Sequence, residues 1–68
     1  MVNRNLLKAA IAAVGLSQVK VSKELNIDPV SFWRKSTGIS SFTQKEICVM
    51  RDILLLTDEQ IMKIFFAP

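Results

Sequence analysis

The sequence predicts an all-α domain of five short helices within 68 residues. Three observations carry that expectation. Capping residues flanked by an apolar pair recur at four places along the chain. Residues that tolerate a left-handed backbone stand between the apolar stripes. No segment shows the apolar–polar alternation of a strand, and no repeat, low-complexity stretch or linker interrupts the pattern.

The first helix is expected over 4–14, with Leu6, Leu7, Ala10, Ile11 and Val14 as its apolar stripe and Gly15 as its stop. The second, over 18–25, opens at Leu16–Ser17–Val21, an N-cap inside a hydrophobic staple. Val21 and Leu25 face inward, and Asn26 is suited to the left-handed turn that follows. The third, over 29–36, opens at Ile27–Asp28–Phe32. Pro29 takes its first position, where a missing N–H costs nothing. Phe32 is its inward residue and Gly38 its stop. The fourth, over 44–54, opens at Phe42–Thr43–Ile47 with Glu46 completing a capping box. The fifth, over 58–66, opens at Leu56–Thr57–Ile61 with Gln60 in the same role, and Pro68 ends it. Ile47, Met50, Ile53 or Leu54, Ile61, Ile64 and Phe65 complete the core. Cys48 reads as a small filler among apolar neighbours. The loop from Gly38 to Phe42 is the longest connection.

Composition excludes several functions. A chain of this length forms one small domain and buries only about 60% of its unfolded surface. Half of its residues are hydrophobic, which supplies a core and argues against a disordered tail. There is no histidine, which removes the commonest general base, the catalytic triads and most zinc and haem sites. The single cysteine allows no internal disulfide, which suits a reducing, cytoplasmic compartment. No apolar run approaches the roughly 20 residues of a membrane span. Arg4 and Lys8 are not followed by the apolar core and cleavage site of a secretion signal. No Gly-rich phosphate loop, metal cluster or nucleophile–base pair is visible. The adjacent acids Asp58 and Glu59 are explained by the dipole of a first helical turn. No enzyme, cofactor, metal or small-molecule substrate is therefore expected.

Charge is uneven. Residues 1–35 hold six cations (Arg4, Lys8, Lys20, Lys23, Arg34, Lys35) against Glu24 and Asp28, a balance of +4. Residues 36–68 hold three cations against four acids, a balance of −1. The front half is the half suited to an anionic partner such as nucleic acid.

That half also contains the motif. From Ser17 to Gly38 run a short helix, a tight turn through Asn26 and a second short helix. This is the helix-turn-helix pattern, whose second helix can enter a major groove. The stretch GLSQVKVSKELNIDPVSFWRKSTG resembles the helix-turn-helix of the lambda repressor/Cro-type family of phage and bacterial regulators. Ser17 and Gln18 match its opening, Ser22 its small close-contact residue, and Leu25, Asn26 and Ile27 its turn. Phe32, Arg34, Lys35 and Gly38 match the rest of its second helix. Phe42–Thr43 with Glu46–Ile47, and the run from Leu56 to Ile61, resemble the openings of its fourth and fifth helices. The likeness spans residues 1–68 as one domain with the motif at about 17–38. It departs at Asn26, where Gly is usual, at Ser36, where an apolar residue is common, and at Pro29 and Val30, where polar readers are frequent.

The resemblance implies a compact five-helix, lambda repressor-like DNA-binding domain acting on double-stranded operator DNA in a phage or mobile-element switch. It implies that Gln18 bonds a phosphate or an adjacent base and that Ser31 donates to base or phosphate. Pro29 and Val30, having no donor or acceptor, would touch only thymine methyls. Arg34, late in its helix, would meet phosphate or guanine. Lys20, Lys23, Lys35 and Lys45 would add salt-sensitive attraction. Trp33 either packs over the third helix or lies open. An open Val30 and Trp33 beside Pro29 and Arg34 form an apolar patch of hot-spot residue types. That supports an alternative partner, a phage repressor whose recognition helix the chain would block as an antirepressor. Met62, Phe65 and Phe66 are either a core lid or the seam of a weak homodimer.

Overall fold

The computed structural model describes residues 1–67, and all five elements are helices. They are α1 (Arg4–Ala13), α2 (Gln18–Glu24), α3 (Pro29–Ser36), α4 (Gln44–Ile53) and α5 (Asp58–Phe65). Their radius of gyration is 10.5 Å, against about 11 Å for a compact chain of this length. None is long and apolar enough to cross a membrane. Four of the five end one residue earlier than expected from sequence, because Val14, Leu25, Leu54 and Phe66 serve as C-caps. Pro68, the expected stop, lies outside the described residues.

Every helix begins with a side chain that takes up a free N–H. Ser17, Asp28, Thr43 and Thr57 do so as expected, and both capping boxes form in full. Asn3 performs the same service for α1, accepting from the Leu6 N–H at 3.1 Å. The sequence carried the signal, since Val2 and Leu7 flank Asn3 at the same staple spacing as the other four caps.

The helix ends share one device. Gly15, Asn26, Gly38 and Leu55 all have positive φ, between 55° and 89°. After each, the next N–H reaches back five residues to a carbonyl of the closing helix. Leu16 bonds Ile11, Ile27 bonds Ser22, Ile39 bonds Arg34 and Leu56 bonds Arg51, at 3.0–3.2 Å. This is the Schellman closure. Gly15, Asn26 and Gly38 were legible as such stops. Leu55 was not, since a γ-branched residue pays a steric cost there. Its side chain is 79% exposed.

The core draws on every helix: Leu7 and Ile11, Val21 and Leu25, Phe32, Met50 and Leu54, then Leu56, Ile64 and Phe65. Phe42 joins it from the long connection. Its ring lies 5.7 Å from both Phe32 and Phe65, tilted against one and edge-on to the other. Two expectations change. Leu6 sits at the edge of its stripe and is exposed, and of the Ile53/Leu54 pair it is Leu54 that is buried. Phe65 belongs to the core, whereas Met62 and Phe66 are exposed. The chain's start is tied to its end: the Asn3 N–H donates to the Ile64 carbonyl at 2.6 Å, and the terminal ammonium donates to the Ala67 carbonyl.

Two outcomes follow for stability. Phe32→Ala removes a ring that is 2% exposed and should cost about 3–5 kcal/mol in denaturant unfolding. Leu55→Gly should raise stability by about 0.5–1 kcal/mol, the relief of left-handed strain exceeding the lost chain stiffness. A lower melting temperature for Leu55→Gly would show that the Leu55 side chain does more than its exposure indicates.

Candidate interaction surface on α2 and α3

The pair α2–α3 is joined by only four residues, Leu25 to Asp28. What lets the helices approach is Ser22, fully buried on the inner side of α2. Its hydroxyl would be costly there if unpaired, and it donates to the Val19 carbonyl at 2.6 Å. Ser36 solves the same problem on α3. It is buried, and its hydroxyl donates to the Trp33 carbonyl at 2.9 Å. The position that departs from the family pattern is therefore a satisfied core residue.

With Phe32 and Ser36 turned inward, helical spacing puts Val30, Trp33 and Arg34 on the outer side, and Pro29 is open at the first turn. All four are exposed, Val30 at 60% and Trp33 at 47%. Trp33 thus leaves about half of its surface open on the outer face. Ser31 and Gln18 are half-buried at its margins. Two apolar side chains not singled out in the sequence are also exposed nearby in the chain: Val19 on α2 at 49% and Ile39 after α3 at 66%. Val19 had a signal, since it lies off the Val21–Leu25 stripe. Ile39 had none, because it lies in a loop.

The cations divide into two groups. Lys20 reaches Glu24 at 3.5 Å, a solvent-exposed pair one turn apart that contributes little. Lys35 is turned away from the outer face. Its ammonium meets both oxygens of Glu46 on α4, at 2.7 and 2.8 Å, with both side chains largely buried. The free phosphate-binding cation expected at Lys35 is therefore already occupied. Nothing in a separation of eleven residues across a loop signals that pair. Lys23, Arg34 and Lys45 are exposed and, among the described residues, join no ion pair.

Two carboxyls are shifted. The Ser31 N–H, donating to Asp28 Oδ1 at 2.6 Å, holds the Asp28 carboxyl below its ordinary value, and the Arg34 charge adds to the effect. Partial burial pushes the Glu46 carboxyl up. The Lys35 ammonium and the Thr43 N–H outweigh it and leave Glu46 below its ordinary value of 4.5.

Cys48 is half-buried beside Phe42, Ile47, Arg51 and Ile61, along a groove between α4 and α5. Comparison with protein-family models, curated proteins and solved structures gives no match for this chain.

The Glu46 shift fixes a pH dependence. A carboxyl whose folded pKa is depressed contributes stability that is present above its unfolded value and lost as pH falls through the folded one. The stability difference between the wild type and Glu46→Gln should therefore hold from pH 7 to about 5. It should shrink below 4.5, the ordinary Glu46 value. Thermal melts across that range check it. A difference that grows on acidification would contradict the assigned cause.

Proposed function

We propose that α2 and α3 form a helix-turn-helix of the lambda repressor/Cro type, and that the protein is a sequence-specific DNA-binding regulator of a phage or mobile-element switch. The observation that carries this reading is the division of α3. Its inner side is locked by Phe32 and Ser36, while Val30, Trp33 and Arg34 on its outer side and Pro29 at its first turn are exposed. The resemblance of residues 17–38 to the family's motif and the +4 balance of the front half support it. In this reading α3 lies in the major groove of operator DNA. Arg34 supplies the strongest polar contact, Ser31 and Gln18 add hydrogen bonds at the margins, and Val30 meets thymine methyls. Lys20, Lys23 and Lys45 contribute phosphate attraction. The exposed Met62 and Phe66 on and after α5 are the surface left for a weak homodimer on a palindromic site.

One observation favours a second reading. Val30 and Trp33 stand one turn apart, and both are open. An aromatic–arginine patch of this kind suits a protein partner. The chain would then bind a second helix-turn-helix repressor and occlude its recognition helix.

Titration with DNA from its own locus, at two salt concentrations and with or without the neighbouring repressor, separates the readings. Operator binding should weaken steeply with salt, and Arg34→Ala should cost about 1–3 kcal/mol if it reads a base. Gln18→Ala should weaken binding as well. Absence of DNA binding together with a stable repressor complex would overturn the first reading. In that complex Trp33→Ala or Val30→Asp should cost more than Arg34→Ala.

A further inference from the structure

The angle at which α3 presents its outer face needs something directional to hold it. Apolar burial of Phe32 is strong but non-directional. Among the described residues, three of the four ion pairs act within one helix: Lys20–Glu24, Lys63–Glu59 and Arg51–Asp52. Among the described residues, Lys35–Glu46 alone joins two helices, and it is also the least exposed, at 17% and 12%. Glu46 is itself held. Its Oε1 accepts the Thr43 N–H at 2.8 Å while its own N–H donates to Thr43 Oγ1 at 3.1 Å. One carboxylate thus closes the capping box of α4 and receives the last turn of α3 in two short hydrogen bonds.

We propose that Lys35 and Glu46 are positioning residues for the α3 face, setting its tilt against α4, and that Lys35 does not contact phosphate. The proposal rests on the DNA-binding reading for its functional consequence, but its structural content stands apart from it. The rival role, a phosphate-binding lysine held in reserve by Glu46, makes the opposite forecast for the same variant. Glu46→Gln keeps the capping box, since Gln serves equally at that position, and removes the charge that holds Lys35.

As positioning residues, Glu46→Gln and Lys35→Met should each weaken operator binding by roughly five- to thirtyfold with an unchanged salt slope. The double variant should be no worse than either single one. As a phosphate ligand, Lys35 would instead be released by Glu46→Gln, so affinity would rise, and Lys35→Met would lower the salt slope by about 0.9. Either result overturns the proposal. Lys35→Arg, which keeps the charge and the donors, should restore most of the affinity. Residual dipolar couplings of the α3 amides, measured on the free protein below its melting transition, read the tilt without DNA. The tilt should change in both single variants. An unchanged tilt overturns the proposal whether or not the wild type binds DNA. An altered tilt in a protein that binds none leaves the positioning role intact and removes the DNA reading alone.

Discussion

The fold depends on a backbone junction used three times. A residue with positive φ closes one helix. The apolar residue after it is at once the closing contact of that helix and the staple of the next, and the residue after that is the next N-cap. Gly15–Leu16–Ser17, Asn26–Ile27–Asp28 and Leu55–Leu56–Thr57 all follow this order. Each connection is therefore only four residues long from C-cap to N-cap. The helices have seven to ten residues, below the 12–15 or so at which isolated helices become marginal. None would persist alone, so the angles set by the junctions decide whether the apolar faces meet at all.

The same economy made most of the architecture legible. Caps, staples and left-handed residues are local signals, and Ser17, Asp28, Thr43 and Thr57 announced their helices through side chains that compete for backbone N–H groups. Legibility failed where a junction was filled against its own chemistry or where a contact was remote. Leu55 adopts a conformation that its side chain disfavours, so only the packing of Leu54 and Leu56 on either side explains it. Asn3, by contrast, was legible and overlooked, since Val2 and Leu7 flank it as the other caps are flanked. In the candidate site, sequence placed Pro29, Val30, Trp33 and Arg34 on α3 but left the exposure of Trp33 open. It treated Lys35 as one more solvated cation. That Lys35 meets Glu46 is a matter of tertiary geometry, which no spacing rule carries.

The connection from α3 to α4 departs from the shared junction, and the departure falls beside the candidate surface. Gly38 closes α3 in the usual way, yet Ile39 remains 66% exposed where Leu16, Ile27 and Leu56 pack. The staple role passes to Phe42, three residues later, and its ring bridges Phe32 to Phe65. A seven-residue connection cannot set an interhelical angle as a four-residue one does. The inter-helix ion pair stands where that local constraint is missing. Burying such a pair costs desolvation and is a poor source of stability. Orientation is what an ion pair supplies that a further apolar contact would not, and its siting at the loosest junction is consistent with that use.

The composition of the α3 face then bears on how the protein would recognise a partner. Of the six cations in the basic half, Lys20 and Lys35 are matched by Glu24 and Glu46. Arg34 and Lys23 remain exposed on the α2–α3 pair, with the shifted carboxylate of Asp28 close enough for the Arg34 charge to affect it. That is a weak field for drawing in a polyanion, so DNA affinity would depend more on fit in the groove than on charge. Fit is also what a rigid, apolar, aromatic face offers to a protein. A duplex would accept Val30 and Trp33 only where methyl groups or a deformed groove receive them. In either proposed role the tilt of α3 would therefore matter more than in a recognition helix rich in lysine, because a surface that binds by shape loses more when it is misaimed.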